Sequence, residues 1–267
     1  MTLPANHPVS PLHSPTNAER KVLTLLAEYF CLNVEQAVPL MGLTGRTMRR
    51  HFENLTGKGL IQALVYYPEH QQRGAAPHAF GLSDKGVDYA FKEGFNAGGT
   101  KTFDEHSSRT IDHELAITRF HVQLKALATE KGWRLRWRQY DLKCTVHPDA
   151  LFSLNGTYWF LEVERAKLGN YKNGEPQILR KLKHYHEYYD STDCEKDWGD
   201  FRKFRVLTVM RTQERTGNLT ALLRAEHLDK ALFWNTHESA TDTLGQPIFQ
   251  TPKDAARLLS FDFAVTV

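Results

Sequence analysis

Cysteine is scarce in this chain, and no two cysteines are placed to work together. Cys31, Cys144 and Cys194 are odd in number, far apart and in no CxxC arrangement. That argues against a disulfide framework and a structural zinc site, and makes a reducing cytoplasm the expected compartment. Long apolar runs are missing too, so no membrane span is expected. The N-terminus lacks the apolar stretch of a secretory signal. Pro4, Pro8, Pro11 and Pro15 among Ser and His make residues 1–16 a disordered arm instead. Charge of one sign is not in large excess: 34 Lys+Arg against 31 Asp+Glu leave a formal net charge of +3. An anionic partner is permitted by that balance but not required, so a nucleic-acid function has to be read from where the charges sit. With 41% hydrophobic and 24% charged residues, 267 residues suffice for two modest domains, each with its own core.

Helical periodicity begins at Asn17. Val22, Leu23, Leu25, Leu26, Tyr29 and Phe30 form one apolar face, and a second short helix through Val34, Ala37, Val38, Leu40 and Met41 is ended by Gly42. Thr44 can cap a third helix in which Met48, Phe52 and Leu55 point inward while Arg46, Arg49, Arg50 and His51 face out. An apolar run over residues 60–67, a polar tip around Gln71, Gln72, Arg73 and Gly74, and a second run over residues 78–82 read as two strands forming a wing. Ser83 caps a closing helix, and Gly94, Gly98 and Gly99 mark a linker. Residues 17–95 therefore read as one domain and residues 96–108 as the connection. The segment resembles winged helix-turn-helix domains, in which Leu-Ser-Asp-Lys-Gly after the wing is a familiar local pattern. Such a domain lays its third helix in the DNA major groove. Arg46, Arg49, Arg50, Lys58 and Arg73 are the expected DNA contacts, although an arginine face also suits a solvated surface.

Residues 109–267 form the second expected domain. An amphipathic helix over residues 111–129 is followed by a strand over residues 133–140, in which Arg134, Arg136 and Arg138 alternate with Trp133, Leu135 and Trp137. Two further strands, residues 150–154 and 158–163, are joined by an Asn155-Gly156 turn. Then come a Gly- and Asn-rich loop, a helix over residues 175–189, a strand over 204–210, a helix over 217–228 and a strand over 231–234. The acidic stretch 190–200 reads as a loop. This alternation describes a mixed α/β domain with helices flanking a central sheet. Trp133, Trp137, Trp159 and Trp234 read as core.

Chemistry concentrates at Pro148-Asp149 and Glu162-Val163-Glu164. Side chains alternate along a strand, so Glu162 and Glu164 share a face, near the edge that Asp149 occupies. Three carboxylates converging on one edge repel one another unless a hard cation such as Mg²⁺ or Mn²⁺ lies between them, and such a cation polarises a phosphodiester. The plainer alternative is that the glutamates form the solvent face of a half-buried strand.

Together, the helix bearing Glu114, the Pro-Asp strand, the Glu-x-Glu strand and the helix that follows resemble the restriction-endonuclease-like core with its PD-(D/E)xK pattern. Glu164 stands where that pattern has lysine, so the resemblance moves the cationic role to Lys181 or to Lys167. Taken with the winged helix, His113-Glu114-Leu115, Pro148-Asp149, Leu161-Glu162-Val163-Glu164 and Lys181-x-x-x-Tyr185 also resemble the replication-relaxation proteins and the MOBC-type relaxases of mobilisable plasmids. The resemblance implies a metal-dependent, site-specific nickase at a transfer or replication origin. Asp149, Glu162 and Glu164 would hold Mg²⁺ or Mn²⁺, Glu114 would be an auxiliary ligand, and Lys181 the electrophile. Its partners would be double-stranded plasmid DNA and an accessory mobilisation protein. Arg134, Arg136 and Arg138 would hold the strand being cut. A covalent route through Tyr185 is the lesser alternative: His184-Tyr185-His186 falls on a helix, where residues two apart diverge. A non-catalytic origin-binding or transcriptional regulator with a degenerate nuclease-like domain is the alternative from a different functional class.

Overall fold

The computed structural model describes residues 14–66, 78–95, 108–140, 142, 144–165, 171–172, 175–199, 203–228, 232–254 and 257–262. The chain divides into two compact units, Met1–Leu115 and Ala116–Val267. Division falls inside a long helix and not at the glycine-rich connection that the sequence suggested. One contact that holds the start of this helix in the first unit is a 2.6 Å hydrogen bond from Gln36 Nε2 to the Leu115 carbonyl.

The first unit contains α1 (Asn17–Glu28), α2 (Val34–Met41), α3 (Gly45–Gly57), β1 (Ile61–Val65), β2 (His78–Leu82) and α4 (Asp84–Lys92). Each of the first three helices starts where a side chain satisfies its free N–H groups. Thr16 with Glu19 and Asn33 with Gln36 form reciprocal capping boxes, and Thr44 accepts from the Thr47 N–H. Gly42, at φ 63°, takes the left-handed conformation that stops α2. Val22, Leu23, Leu26, Ala37, Met48, Phe52, Leu55 and Leu82 make the shared core. β1 and β2 pair antiparallel from Ile61↔Leu82 to Val65↔His78. The expected polar tip of the wing, with Arg73, lies outside the described residues.

The Leu82-Ser83-Asp84-Lys85-Gly86 pattern has a physical basis. Ser83 Oγ accepts from the Gly86 N–H at 3.1 Å and donates to the Gly59 carbonyl at 2.6 Å. A Cβ at Gly86 would lie 1.9 Å from the Leu60 carbonyl oxygen. Only glycine lets α4 approach the start of β1 this closely.

The long helix α5 (Ser108–Lys131) leads into the second unit, where β3 (Leu135–Arg138), β4 (Ala150–Leu154), β5 (Thr157–Glu164), β6 (Tyr171–Lys172) and β7 (Glu175–Pro176) precede α6 (Gln177–Asp190) and α7 (Asp193–Trp198). β8 (Phe204–Met210), α8 (Gln213–Ala225), β9 (Phe233–His237) and a 3-10 helix, Glu238–Thr243, follow. A five-stranded mixed sheet has the order β3-β4-β5-β8-β9. β3, β4 and β5 form an antiparallel meander, and β5, β8 and β9 run parallel. Asn155 and Gly156 both take positive φ, 47° and 88°, as a tight two-residue hairpin requires.

Two cores flank the sheet. Phe160 and Val206 pack with Leu179, Leu182 and Tyr185 of α6 and Leu219 of α8. Trp159, Leu161 and Trp234 pack on the other side with Phe120 and Leu124 of α5. Trp159 and Trp234 are fully buried as expected, while Trp133 and Trp137 are only partly buried at the margin. Two expectations change. The acidic stretch after α6 is not a bare loop but contains α7, whose Cys194 is buried, because Asp197 is tied down by Tyr188 and Thr145. The segment after β9, to which the sequence assigned no role, supplies Phe249 and Phe261 to the core. No helix among the described residues is long and apolar enough to cross a membrane.

Candidate active site

Asp149 sits just before β4, and its backbone N–H continues the ladder by donating to the Leu161 carbonyl at 3.0 Å. Its carboxylate turns across to β5, where Oδ2 accepts from the Val163 N–H at 2.7 Å. Alternation along β5 sends Trp159, Leu161 and Val163 to the α5 side, and Phe160 and Glu162 to the α6 side. Glu162 is 3% exposed. On α6, Lys181 and Tyr185 are one turn apart and reach the same carboxylate. Lys181 Nζ pairs with Glu162 Oε2, and the Tyr185 hydroxyl donates to Glu162 Oε1 at 2.5 Å.

Burial, and then the neighbouring charge of Asp149, pushes the Glu162 carboxyl up to about 8, against the pull of Lys181 and Tyr185. Burial also opposes the Lys181 charge, but Glu162 and Asp149 outweigh it and raise its pKa. Glu164 acts on Lys181 in the same direction from the half-buried end of β5. The Lys181 side chain is 36% exposed, so the cluster opens to solvent along the lysine. Asp149, Glu162 and Lys181 are therefore brought together, with Glu164 within electrostatic reach. Among the described residues, no group of three or more His, Cys, Asp or Glu side chains is assembled that could hold a metal ion, so the three-carboxylate cage is not formed. Glu114 belongs to the first unit, and Lys167 lies outside the described residues.

Tyr185 is fully buried, and burial followed by the Glu162 charge raises its pKa well above the ordinary phenol value. It is placed as a donor to a carboxylate and not as an exposed nucleophile. His184 is exposed while His186, partly buried, faces Asp190 at 3.5 Å, so the two histidines form no metal pair.

Asp197 and the Thr208–Asn235 pair were not singled out from the sequence. Asp197 accepts from the Thr145 N–H and the Tyr188 hydroxyl, both at 2.9 Å, and so fixes the segment that leads to Asp149. Its signal was the acidic stretch itself. Thr208 and Asn235 align with Glu162 across β5, β8 and β9, making a buried polar row in an otherwise apolar layer. Polar residues interrupting the apolar strand runs were the available clue.

Of the expected DNA contacts, Arg46, Arg49 and Arg50 stand exposed on α3. His51, expected on the same outward face, is buried. Lys58 is also different: its ammonium lies 2.7 Å from the buried Glu19 carboxylate. Burial works against the Glu19 charge, yet Lys58 and the Thr16 N–H hold its carboxyl below the usual range. Lys58 thus anchors α1 to the end of α3, a structural duty. Arg134, Arg136 and Arg138 are exposed along β3, as the alternation required.

A family model described as Replication-relaxation matches residues 23–203, a span that includes the α3 arginines and the whole Asp149–Glu162–Lys181–Tyr185 cluster. No curated protein matches the chain. Among solved structures, a MarR family transcriptional regulator from Silicibacter pomeroyi DSS is similar at 18% identity over 43% of this chain and 72% of that one. Its TM-score of 0.27 is too low to carry an argument.

Proposed function

The chain belongs to the replication-relaxation family, and from that membership we propose that it nicks duplex DNA at the transfer or replication origin of a plasmid or related mobile element. The observation that carries this reading is the pairing of Asp149 and Glu162 beside Lys181 at the junction of the antiparallel and parallel halves of the sheet. A helix, a three-stranded meander, a helix and a parallel strand in that order support a restriction-endonuclease-like core. The exposed Arg46, Arg49 and Arg50 on α3 support origin recognition by the first unit.

The donors fit a hard divalent cation as a pair and not as a cage. Mg²⁺ commonly takes one or two protein carboxylates and keeps water or phosphate oxygens in its other positions. Two adjacent carboxylates, one with its proton affinity raised by burial and by the other, are the electrostatic setting that a cation relieves. Mg²⁺ or Mn²⁺ held by Asp149 and Glu162 would supply Lewis-acid charge to a scissile phosphodiester. Lys181, partly exposed at the mouth of the cluster, stabilises negative charge growing on a phosphate oxygen. The Tyr185 hydroxyl fixes one oxygen of Glu162, and the Val163 N–H fixes one oxygen of Asp149.

One observation favours a non-catalytic origin-binding protein instead. Both oxygens of Glu162 already have protein partners, so the ion pair is complete without a ligand. The deciding experiment is conversion of a supercoiled plasmid carrying the protein's own origin region to open circle, with Mg²⁺, Mn²⁺ or EDTA. Cation-dependent nicking by wild type, reduced at least about a hundredfold in Glu162→Gln, is expected. Specific binding with no nicking under any cation supports the non-catalytic protein.

A further inference from the structure

We infer that the outer edge of the second unit's sheet is a cradle for one separated DNA strand, with Arg134, Arg136 and Arg138 on successive phosphates and the Trp198 ring backing the Arg138 guanidinium. The inference rests on the nickase reading only for the fate of that strand; the binding surface stands on its own geometry.

β3 is the terminal strand of the sheet. Trp133, Leu135 and Trp137 pack toward the α5-side core, which leaves the three arginines exposed on the opposite face. Residues two apart on a strand repeat every ~6.6 Å, which is the scale of successive phosphates on an extended single strand. The Arg138 guanidinium lies 5.3 Å from the centroid of the Trp198 ring, and Trp198 in turn packs against Phe160 at 6.2 Å. Phe160 shares its sheet face with Glu162. The pairing Arg138↔Leu151↔Phe160 brings the arginine row up to the strand ends that carry Asp149 and Glu162. Cations in single file at the repeat of one extended backbone, the last of them held over an aromatic ring at the end nearest the carboxylates, suit one backbone. A duplex presents phosphates on two lines across a groove. Among the described residues, none of the three arginines takes part in an ion pair with an acid. The competing structural role is protection of an edge strand from joining another sheet, which charges of either sign and on either face provide.

The test is binding by the full chain of a fluorescein-labelled oligo(dT) and of a duplex carrying the origin sequence, in EDTA so that cleavage does not enter. In the Arg134→Ala/Arg136→Ala double variant, single-strand affinity should fall tenfold or more. Its log–log salt slope should shrink by about 1.4, from about 0.7 per lost phosphate contact, with duplex affinity changed less than twofold. Arg49→Ala should do the reverse. Equal weakening of both ligands, unchanged oligo(dT) binding, or self-association of the double variant with unchanged oligo(dT) binding would each overturn the cradle. Wild-type nicking with unaffected single-strand binding in the double variant sinks the cradle and keeps the nickase. Lost single-strand binding in a protein that never nicks keeps the cradle and sinks the nickase.

Discussion

At the scale of single residues, the second unit is organised around one buried carboxylate. Glu162 is tolerated in an apolar layer because Lys181 and Tyr185 satisfy its two oxygens and because Lys181 carries the opposite charge. Removing one partner leaves a buried acceptor with its desolvation cost uncompensated. Tyr185→Phe is therefore expected to lower stability by about 1–3 kcal/mol in urea unfolding, and to leave the duplex binding proposed for the α3 arginines unaffected. Wild-type stability in Tyr185→Phe would mean that the hydroxyl does not support Glu162. Glu19 and Lys58 use the same logic in the first unit, where a residue that reads as a DNA contact is taken up by a nearly inaccessible acid.

At the scale of elements, close approach decides what the chain tolerates. α4 reaches the start of β1 only because Gly86 lacks a side chain: a Cβ there meets backbone, which cannot swing away as a flexible side chain can. Gly86→Ala should destabilise the first unit by about 2 kcal/mol or more, in the range of core overpacking, despite alanine's better helix propensity. Thermal unfolding checks this, and an unchanged or raised Tm would refute the clash. α7 shows the opposite case, an element without a clear apolar stripe in sequence. Asp197 and buried Cys194 hold it against α6 and the segment before β4.

At the scale of the whole molecule, two buried groups give stability opposite pH slopes. His121 is 3% exposed and stacked on Trp137 at 4.1 Å; burial, and then Lys125, lowers its pKa from 6.5 to about 3. The unfolded chain binds that proton more readily than the folded one, so His121 makes stability fall as pH drops from about 6.5 toward 3. Glu162, raised from 4.5 to about 8, makes the folded state bind a proton more readily, so its contribution is greatest below about 4.5 and is lost as pH rises through about 8. His121→Leu should flatten the acid side of a stability–pH curve by a limiting slope of about 1.4 kcal/mol per pH unit. Denaturant midpoints measured from pH 4 to 7 check this, and an unchanged slope in the variant would show that His121 is not the acid-sensitive group.

The elements with strong periodicity or local turn chemistry were legible in the sequence. The N-capped helices of the first unit, the Asn155-Gly156 hairpin, β4 and β8 follow from local rules of capping, handedness and alternation. The alternation along β3 and β5 also set which side chains face which way, and so singled out the arginines and Glu162. Local rules do not contain the partners of those side chains. Lys58 met Glu19, His51 turned inward, Asp197 gathered Thr145 and Tyr188, and the segment after β9 put Phe249 and Phe261 into the core. The sequence alone determined the helices and paired strands of the first unit, the mixed α/β character of the second and the acids worth attention. Tertiary structure decided that Asp149 and Glu162 form a pair with Lys181 and Tyr185, because proximity between residues far apart in the chain is created only when the sheet and α6 pack together.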